Sequence, residues 1–349
     1  MKQKTGNNST SFQAQNIIIN QGASEQEVRE IALNVFKDNF IELSDIAKNT
    51  AKIRAEEITN DFVKKLQNEN PEALNKAQDP DFQDALFNVQ KEYAKSGDKE
   101  LGDLLVNLLA DRTQHDQRTI AQIVLSESIK TAPKLTDDQL AALAIIFLFR
   151  YSKNYNILTH EILGRFWDHH VKFFIEKLSK NNSCYQHLQF AGCGSMIPAI
   201  TPNLSLEKIL ELHYQGLFLK GFDPAEIENR GISLSEEDIK MFFIPCLNDI
   251  KKLQINSLDK ESLDKKIKNR NISDENKVII EALFELNKMS EAEIKEKCIA
   301  IRPYLSKLFD IYSETGMQNF NLTSVGIAIG HANIKRLAGK FADLSIWIS

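Results

Sequence analysis

Cys193 has the sequence surroundings expected of a reactive side chain, because it lies between Gly192 and Gly194. Flanking glycines free the backbone around a nucleophile, and a thiol needs a nearby base to become a thiolate. His187 and His213 are the nearest candidate bases along the chain. No cysteine-hydrolase signature surrounds Cys193, so we favour a small residue in a tight loop. A hydrolase with its site near Cys193 stays open as an alternative.

Two sets of side chains carry the nitrogen and sulfur donors that zinc prefers. They are Cys184, His187 and Cys193 in one set, and His160, His169 and His170 in the other. Structural zinc sites usually combine two closely spaced pairs of ligands, and the second pair is missing here. The adjacent His169 and His170 would point roughly 100° apart on a helix, which makes a shared ion difficult. The sequence therefore predicts no metal ion and no cofactor.

A third group of polar residues follows a helical spacing. Arg112, His115 and Arg118 are three residues apart, and Asp111 and Asp116 lie beside them. We interpret this group as a solvated helix face with local ion pairs, and a polar contact between subunits is the alternative. The sequence contains no GxxxxGK[ST] loop and no HExxH motif, and no GxGxxG follows a predicted strand.

The composition limits the classes of function. The 349 residues include 42% hydrophobic and 26% charged side chains, which is enough apolar surface for two or three packing units. A net charge of −5 argues against a protein that grips nucleic acid through phosphates. The four cysteines form no CxxC pair and the N-terminus is polar, which predicts reduced thiols in the cytoplasm. The longest apolar stretch, 140–149, is too short to cross a membrane.

Apolar residues at helical spacing predict a mainly α fold. Ser24 and Glu27 form a capping box, and no Gly or Pro follows before Pro71, so we expect one long helix of about 65 Å. The predicted regions are a polar leader over 1–24, a long-helix bundle over 25–135, a second helical region over 136–272 with an irregular loop at 179–203, and a winged-helix-like module over 273–349. Within the second region, a helix is predicted over 235–253, and Pro245 should kink or divide it.

The last region has the element order of a winged helix-turn-helix. Three helices are followed by a turn at Gly316, a strand over 317–322, a helix from Thr323 and an alternating strand over 342–348. The helix that would enter a DNA groove carries only Lys307 as a basic residue. We therefore favour a unit that packs against the body or a protein partner, and a DNA-binding regulator is the alternative.

The polar leader contains a short segment of β-type residues. Phe12, Ile17, Ile18 and Ile19 are its large apolar side chains, and Gly6 and Gly22 bracket the segment. It is either a disordered tail or a strand that pairs with the same strand in other copies. The second alternative predicts a homo-oligomer assembled through these four residues.

Several stretches resemble an uncharacterised bacterial protein family. They are GNNSTSFQAQ, VREIALNVFKDNF, QIVLSESIKTAPKLTDDQL, LTSVGIAIGHANIKR and DLSIWI. The resemblance implies a bacterial setting and a common architecture but no mechanism. Leaders of the GNNS type are also similar to those of some bacterial conflict and signalling proteins. We therefore expect a non-enzymatic, homo-oligomeric helical scaffold or sensor in bacterial phage defence.

Overall fold

The computed structural model describes residues 24–39, 45–114, 119–196 and 204–348, and it confirms the predicted mainly α class. The α-helices are α1 Glu25–Asn39, α2 Asp45–Glu69, α3 Pro80–Ser96, α4 Lys99–Arg112, α5 Ile120–Thr131, α6 Asp137–Ile146, α7 His160–His170, α8 Lys172–Ile175, α9 Ser183–Phe190, α10 Leu206–Tyr214, α11 Ala225–Asn229, α12 Glu236–Phe242, α13 Lys260–Asn269, α14 Asp274–Glu285, α15 Glu291–Ile301, α16 Leu305–Glu314 and α17 Ser324–Ala338. The strands are β1 Gly194–Met196, β2 Phe243–Pro245, β3 Leu253–Ile255 and β4 Phe320–Leu322.

Shorter helical turns connect these elements. A π-helix, Phe147–Tyr151, follows α6 directly. The 3-10 helices are Pro71–Gln78, Ala132–Lys134, Gln215–Leu217, Gly316–Asn319 and Leu344–Ile346.

The first two helices form an antiparallel pair. The side chain of Gln67 near the end of α2 donates a hydrogen bond of 2.7 Å to Glu25 at the start of α1. The predicted single helix of about 65 Å is therefore wrong. Folding α1 back onto α2 buries Val28, Ala32 and Phe36, which a straight helix would leave in water.

Helix α17 lies inside the larger core, where it packs against α4, α5 and α6. Ala328, Ile329 and Ala332 on this helix are fully buried. Gly330 permits the close approach, because a Cβ atom there would lie 2.8 Å from the backbone oxygen of Leu143. The last long helix of the sequence thus completes a core that is built mostly from earlier residues.

A second, smaller core is formed by the segment that starts near Leu219 and ends near Leu286. The chain enters and leaves this lobe through adjacent strands of backbone, since Lys220 N donates to Asn287 O at 2.8 Å and Met289 N donates to Phe218 O at 2.9 Å. The two cores therefore divide the chain near 218 and 289, and the domain limits at 25, 136 and 273 stay predictions.

The smaller lobe departs from the sequence prediction in the helix expected over 235–253. The helix expected over 235–253 ends at Phe242 and gives way to the antiparallel hairpin β2–β3, in which Pro245 pairs with Leu253. Pro cannot donate to a helical hydrogen bond, which favours this early end. The segment 256–272 contains α13, whose Leu263 and Ile267 are buried in the smaller core.

The C-terminal segment also differs from its prediction. The strand expected over 342–348 is wrong, because a 3-10 helix occupies this segment. Leu344 and Ile348 are buried while Ile346 is 68% exposed, whereas a strand would place all three on one face. Strand β4 pairs instead with β1 in the predicted irregular loop, with Gly194 opposite Leu322. The winged-helix arrangement is therefore not supported.

Candidate ligand-binding cleft

The π-helix after α6 anchors one wall of a cleft. π-Helices are rare and frequently occur at functional sites. Arg150 in this turn donates a hydrogen bond of 2.9 Å to Phe320 O, and Tyr151 Oη accepts one of 2.8 Å from Leu322 N. Both bonds tie the turn to β4, so the loop that follows it begins from a fixed position.

The C-terminal segment forms the facing wall through its aromatic side chains. Trp347 Nε1 donates to Tyr151 O at 2.5 Å. The Trp347 ring lies edge-on to Phe147 at 4.9 Å between centroids, and it is nearly parallel to Phe341, with 19° between planes and 6.2 Å between centroids. These contacts hold the C-terminal segment against the end of α6.

The cleft between these walls has a volume of about 720 Å³, within the range typical of small-molecule sites. Five aromatic side chains line it: Tyr151, Tyr155, Phe166, Phe341 and Trp347. The loop after the π-helix adds the polar side chains of Ser152, Asn154 and Asn156. A second cavity of about 360 Å³ lies beyond Tyr155, between the larger core and the smaller lobe.

The charged groups of the cleft are basic. Lys153 and Lys340 are among its lining residues, and the described lining contains no carboxylate. Lys153 forms an ion pair with the buried Asp259, and its Nζ lies 4.8 Å from the centroid of Tyr155. Lys340 is exposed and has no ion-pair partner among the described residues. The lysine next to Phe341 is therefore the uncompensated charge at this site.

His170 contributes a neutral ring to the cleft. Its Nδ1 donates to Phe166 O at 3.1 Å, and the ring stacks on the Phe166 ring with 4.6 Å between centroids. Burial lowers the pKa of His170, so the imidazole is neutral at pH 7. Because Nδ1 carries the proton, Nε2 is a hydrogen-bond acceptor.

His331 lies beneath the aromatic wall. Its ring is 5.6 Å from the Phe341 ring and 5.8 Å from the Trp347 ring, and its Nε2 donates to Ala342 O at 2.7 Å. Burial lowers the pKa of this histidine. His331 therefore links the cleft wall to the charged groups that lie deeper, of which Asp111 is the nearest.

Those deeper groups form an ion-pair cluster between α2, α4 and α17. Lys335 Nζ lies 2.7 Å from Asp111 Oδ1 and 3.3 Å from Glu69 Oε2. The sequence placed Asp111 and Arg112 on a solvated face, and this is wrong because both are buried. Helix α17 covers that face of α4 and supplies the lysine that pairs with the aspartate.

The rest of that predicted polar group divides in two. Arg112 forms an ion pair with Asp81 and donates to Ser126 Oγ at 2.8 Å. His115, Asp116 and Arg118 lie outside the described residues.

Cys193 is placed where a nucleophile would be inaccessible. Its side chain is fully buried, and burial raises the pKa of the thiol to about 12. Thr323 N donates to Cys193 O at 3.0 Å, so the residue joins β1 to the start of α17. Of the two predicted bases, His187 contacts the Gln139 amide through Nδ1, and burial lowers the pKa of His213 to about 4.

The predicted zinc donors serve as structural groups. Burial raises the pKa of the Cys184 thiol to about 12. His160 Nε2 donates to Leu217 O at 2.8 Å, and His169 Nε2 donates to Ala338 O at 3.1 Å. Across residues 24–39, 45–114, 119–196 and 204–348, no three His, Cys, Asp or Glu side chains are grouped to hold a metal ion. Within the same ranges, no helix has the length and apolar character needed to span a membrane.

Sequence reasoning did not identify the residues of the cleft. Tyr151 and Trp347 are almost two hundred positions apart, so no local motif contains both. Trp347 lies in the alternating strand predicted over 342–348, a segment in which the structure has a 3-10 helix instead. The signal in the sequence that could have indicated the cleft was the presence of aromatic residues in two segments, near 147–155 and near 341–347.

A protein-family model matches residues 22–348, nearly the whole chain, and the chain therefore belongs to the uncharacterised family that this model describes. No curated protein and no solved structure is significantly similar to the chain.

Proposed function

We propose that this protein is a non-enzymatic helical sensor that binds a small molecule in the cleft between the π-helix and the C-terminal segment. The observation that carries the proposal is the cleft of about 720 Å³ with five aromatic side chains in its lining. Concave, mostly apolar sites with a few polar groups are where proteins bind small ligands.

The form of the cleft supports a binding role. His170 is a neutral acceptor, and the described lining places no carboxylate beside it that would complete an acid–base pair. One wall is the segment after α17, which reaches the body through His331 and Trp347. A ligand in contact with this wall would stabilise the segment against the body, which is a means of reporting its presence.

We further propose that the sensor works as a homo-oligomer assembled through the leader, in bacterial phage defence. Both elements rest on the composition of the leader, and Phe12, Ile17, Ile18 and Ile19 lie outside the described residues. No observation favours the DNA-binding alternative over this one. In α16, Lys307 Nζ donates to Glu176 O at 3.1 Å, and the same helix carries Asp310 and Glu314.

The test compares three forms of the protein in the presence of the small-molecule fraction of a bacterial extract. Ala342 is exposed and lines the cleft, so Ala342→Phe should fill it. Ser345 is exposed on the same segment outside the cleft lining, so Ser345→Phe is the matched control. A ligand of the folded state raises the melting temperature. We expect this rise in the wild type and in Ser345→Phe but not in Ala342→Phe.

Two results would count against the proposal. An equal rise in all three forms would place the bound molecule elsewhere on the protein. No rise in any form, with extract fractions at concentrations well above typical dissociation constants, would remove the cleft as a binding site.

A further inference from the structure

We infer that the ligand of this cleft is a planar aromatic anion, a flat ring that carries a phosphate or a carboxylate. The inference rests on the proposed function and names the chemical class of the ligand. Two properties of the lining residues support it: their aromatic rings contact one another, and their charged groups are all basic.

The rings contact one another in series, and the His170 and Phe341 rings are tilted by 59° to each other. Phe166 stacks on His170 at 4.6 Å, His170 lies 5.9 Å from Phe341, and Phe341 lies 6.2 Å from Trp347, all measured between centroids. Aromatic faces of this kind bind flat rings by stacking, and they accept many different rings because each has a π-face. A connected series of rings from α7 to the C-terminal segment therefore favours a planar ring over a flexible aliphatic chain.

The charge of the cleft is opposite to that of the whole protein. The chain carries a net charge of −5, yet the described lining contains Lys153 and Lys340 and no carboxylate. Asp259 already pairs with Lys153. Lys340 thus supplies the charge that remains for a ligand, and it attracts an anion.

The positions of the ring and the charge limit the shape of the ligand. Lys340 directly precedes Phe341 in the chain, so their Cα atoms are about 3.8 Å apart. A ligand that stacks on these rings and reaches Lys340 therefore carries its ring and its anionic group within one small molecule. His170 Nε2 can accept a hydrogen bond from a ring N–H or O–H group.

The experiment measures the binding of four probes by calorimetry and by tryptophan fluorescence. Adenosine monophosphate and benzoate have a ring and an anion, adenosine has the ring alone, and ribose 5-phosphate has the anion alone. Trp167 is 1% exposed and Trp347 lines the cleft, so quenching should come from Trp347 and should disappear in Trp347→Phe. We expect at least one ring-bearing anion to bind about tenfold more tightly than either single-feature probe.

The charge is tested by Lys340→Gln, with Lys130→Gln on α5 as the matched control at an exposed lysine outside the cleft. We expect Lys340→Gln to weaken binding of the tightest anionic probe about tenfold and to leave adenosine binding unchanged. Lys130→Gln should bind all probes like the wild type. Tighter binding of the nucleotide would assign a phosphate ligand, and tighter binding of benzoate would assign a carboxylate.

Three outcomes would overturn the inference. They are adenosine binding as tightly as the tighter of the two ring-bearing anions, ribose 5-phosphate binding as tightly as that anion, and no binding of any probe. If the probes fail while the extract still stabilises the wild type but not Ala342→Phe, the ligand class is wrong and the proposed function stands. If both experiments fail, the proposed function fails as well.

Discussion

His331 Nε2 and Ala342 O are joined by a hydrogen bond of 2.7 Å that attaches the C-terminal segment to the core. A carbonyl oxygen only accepts, so the proton of the neutral ring lies on Nε2. Nδ1 then carries the lone pair and lies 3.9 Å from Asp111 Oδ2, and neither atom has a hydrogen-bond partner among the described residues. One side chain thus connects the wall of the cleft to the ion pair of Asp111.

Replacing His331 tests this connection. His331→Phe keeps a ring among Phe341 and Trp347 but removes the donor to Ala342 O. We expect a loss of about 1 kcal/mol in the free energy of unfolding, because the part-buried hydrogen bond to Ala342 O is lost. Urea denaturation measures this loss, and amide hydrogen exchange should accelerate in the segment 342–348. His331→Gln is the matched control because its amide can donate from a similar position; unchanged exchange in His331→Phe would contradict the prediction.

Removing only one partner of the ion pair between Lys335 and Asp111 should strongly lower the free energy of unfolding. The Asp111 side chain is 8% exposed, so Lys335→Met leaves its carboxylate buried without its nearest cation. We expect Lys335→Met to cost about 3–5 kcal/mol of stability, and Lys335→Met combined with Asp111→Asn to cost clearly less than the sum of the single changes. Chemical denaturation of the four proteins completes the cycle, and strict additivity would show that the two side chains are not coupled.

Gly326 should tolerate no larger residue. A Cβ atom at this position would lie 1.9 Å from the backbone oxygen of Cys193, and backbone cannot rotate away as a side chain can. We expect Gly326→Ala to lower the free energy of unfolding by about 2 kcal/mol or more, since β1 or α17 must shift. Ser324→Ala, at an exposed position in the same helix, serves as the control in thermal denaturation. Equal melting temperatures for the two variants would refute the steric argument.

His213 should make the protein less stable in acid. Burial, and then the positive charge of Lys153, lowers the pKa of His213 to about 4, against about 6.5 in an unfolded chain. Between these values the unfolded state binds the extra proton, so stability is full above pH 6.5 and falls toward pH 4. We expect this residue to account for about 1 kcal/mol of the loss between pH 8 and pH 5, after allowance for its partial exposure.

The measurement for His213 is the free energy of unfolding of the wild type and of His213→Gln at both pH values. The difference between the two proteins at pH 8 removes the effect of lost packing. If the variant loses as much stability as the wild type between pH 8 and pH 5, the histidine does not titrate as described.

The leader should determine the oligomeric state. Removing residues 1–23 deletes Phe12 and Ile17–Ile19, the apolar side chains of the predicted strand. If these strands pair between copies, light scattering on a sizing column should show that the shortened protein contains fewer subunits per particle than the full chain. The same number of subunits in both forms would exclude the leader from assembly.

The capping box predicted at Ser24 begins a helix, and other local signals mark element boundaries in the same way. Capping boxes begin helices at Ser24, Thr136 and Ser290, and Gly97 ends α3 in the left-handed conformation. These signals work because caps and glycines act on the backbone within a few residues.

The elements that the sequence did not predict have a different physical origin. The reversal between α1 and α2 and the 3-10 helix at Leu344 are decided by which surface each segment buries. The sequence did not predict the cleft for the same reason, because Tyr151 and Trp347 meet only when the ends of distant segments pack together. Burial across such sequence distances leaves no local pattern to read.

The position of α17 has a consequence for synthesis of the chain. This helix packs in a core against α4, α5 and α6, which leave the ribosome about two hundred residues earlier. Until residues 324–338 emerge, those helices expose the apolar groove that Ile329 and Ala332 later fill. The smaller lobe closes within residues 219–288, so it can fold first. The nascent chain would thus fold its smaller lobe before its larger core, and would depend on chaperones until α17 emerges.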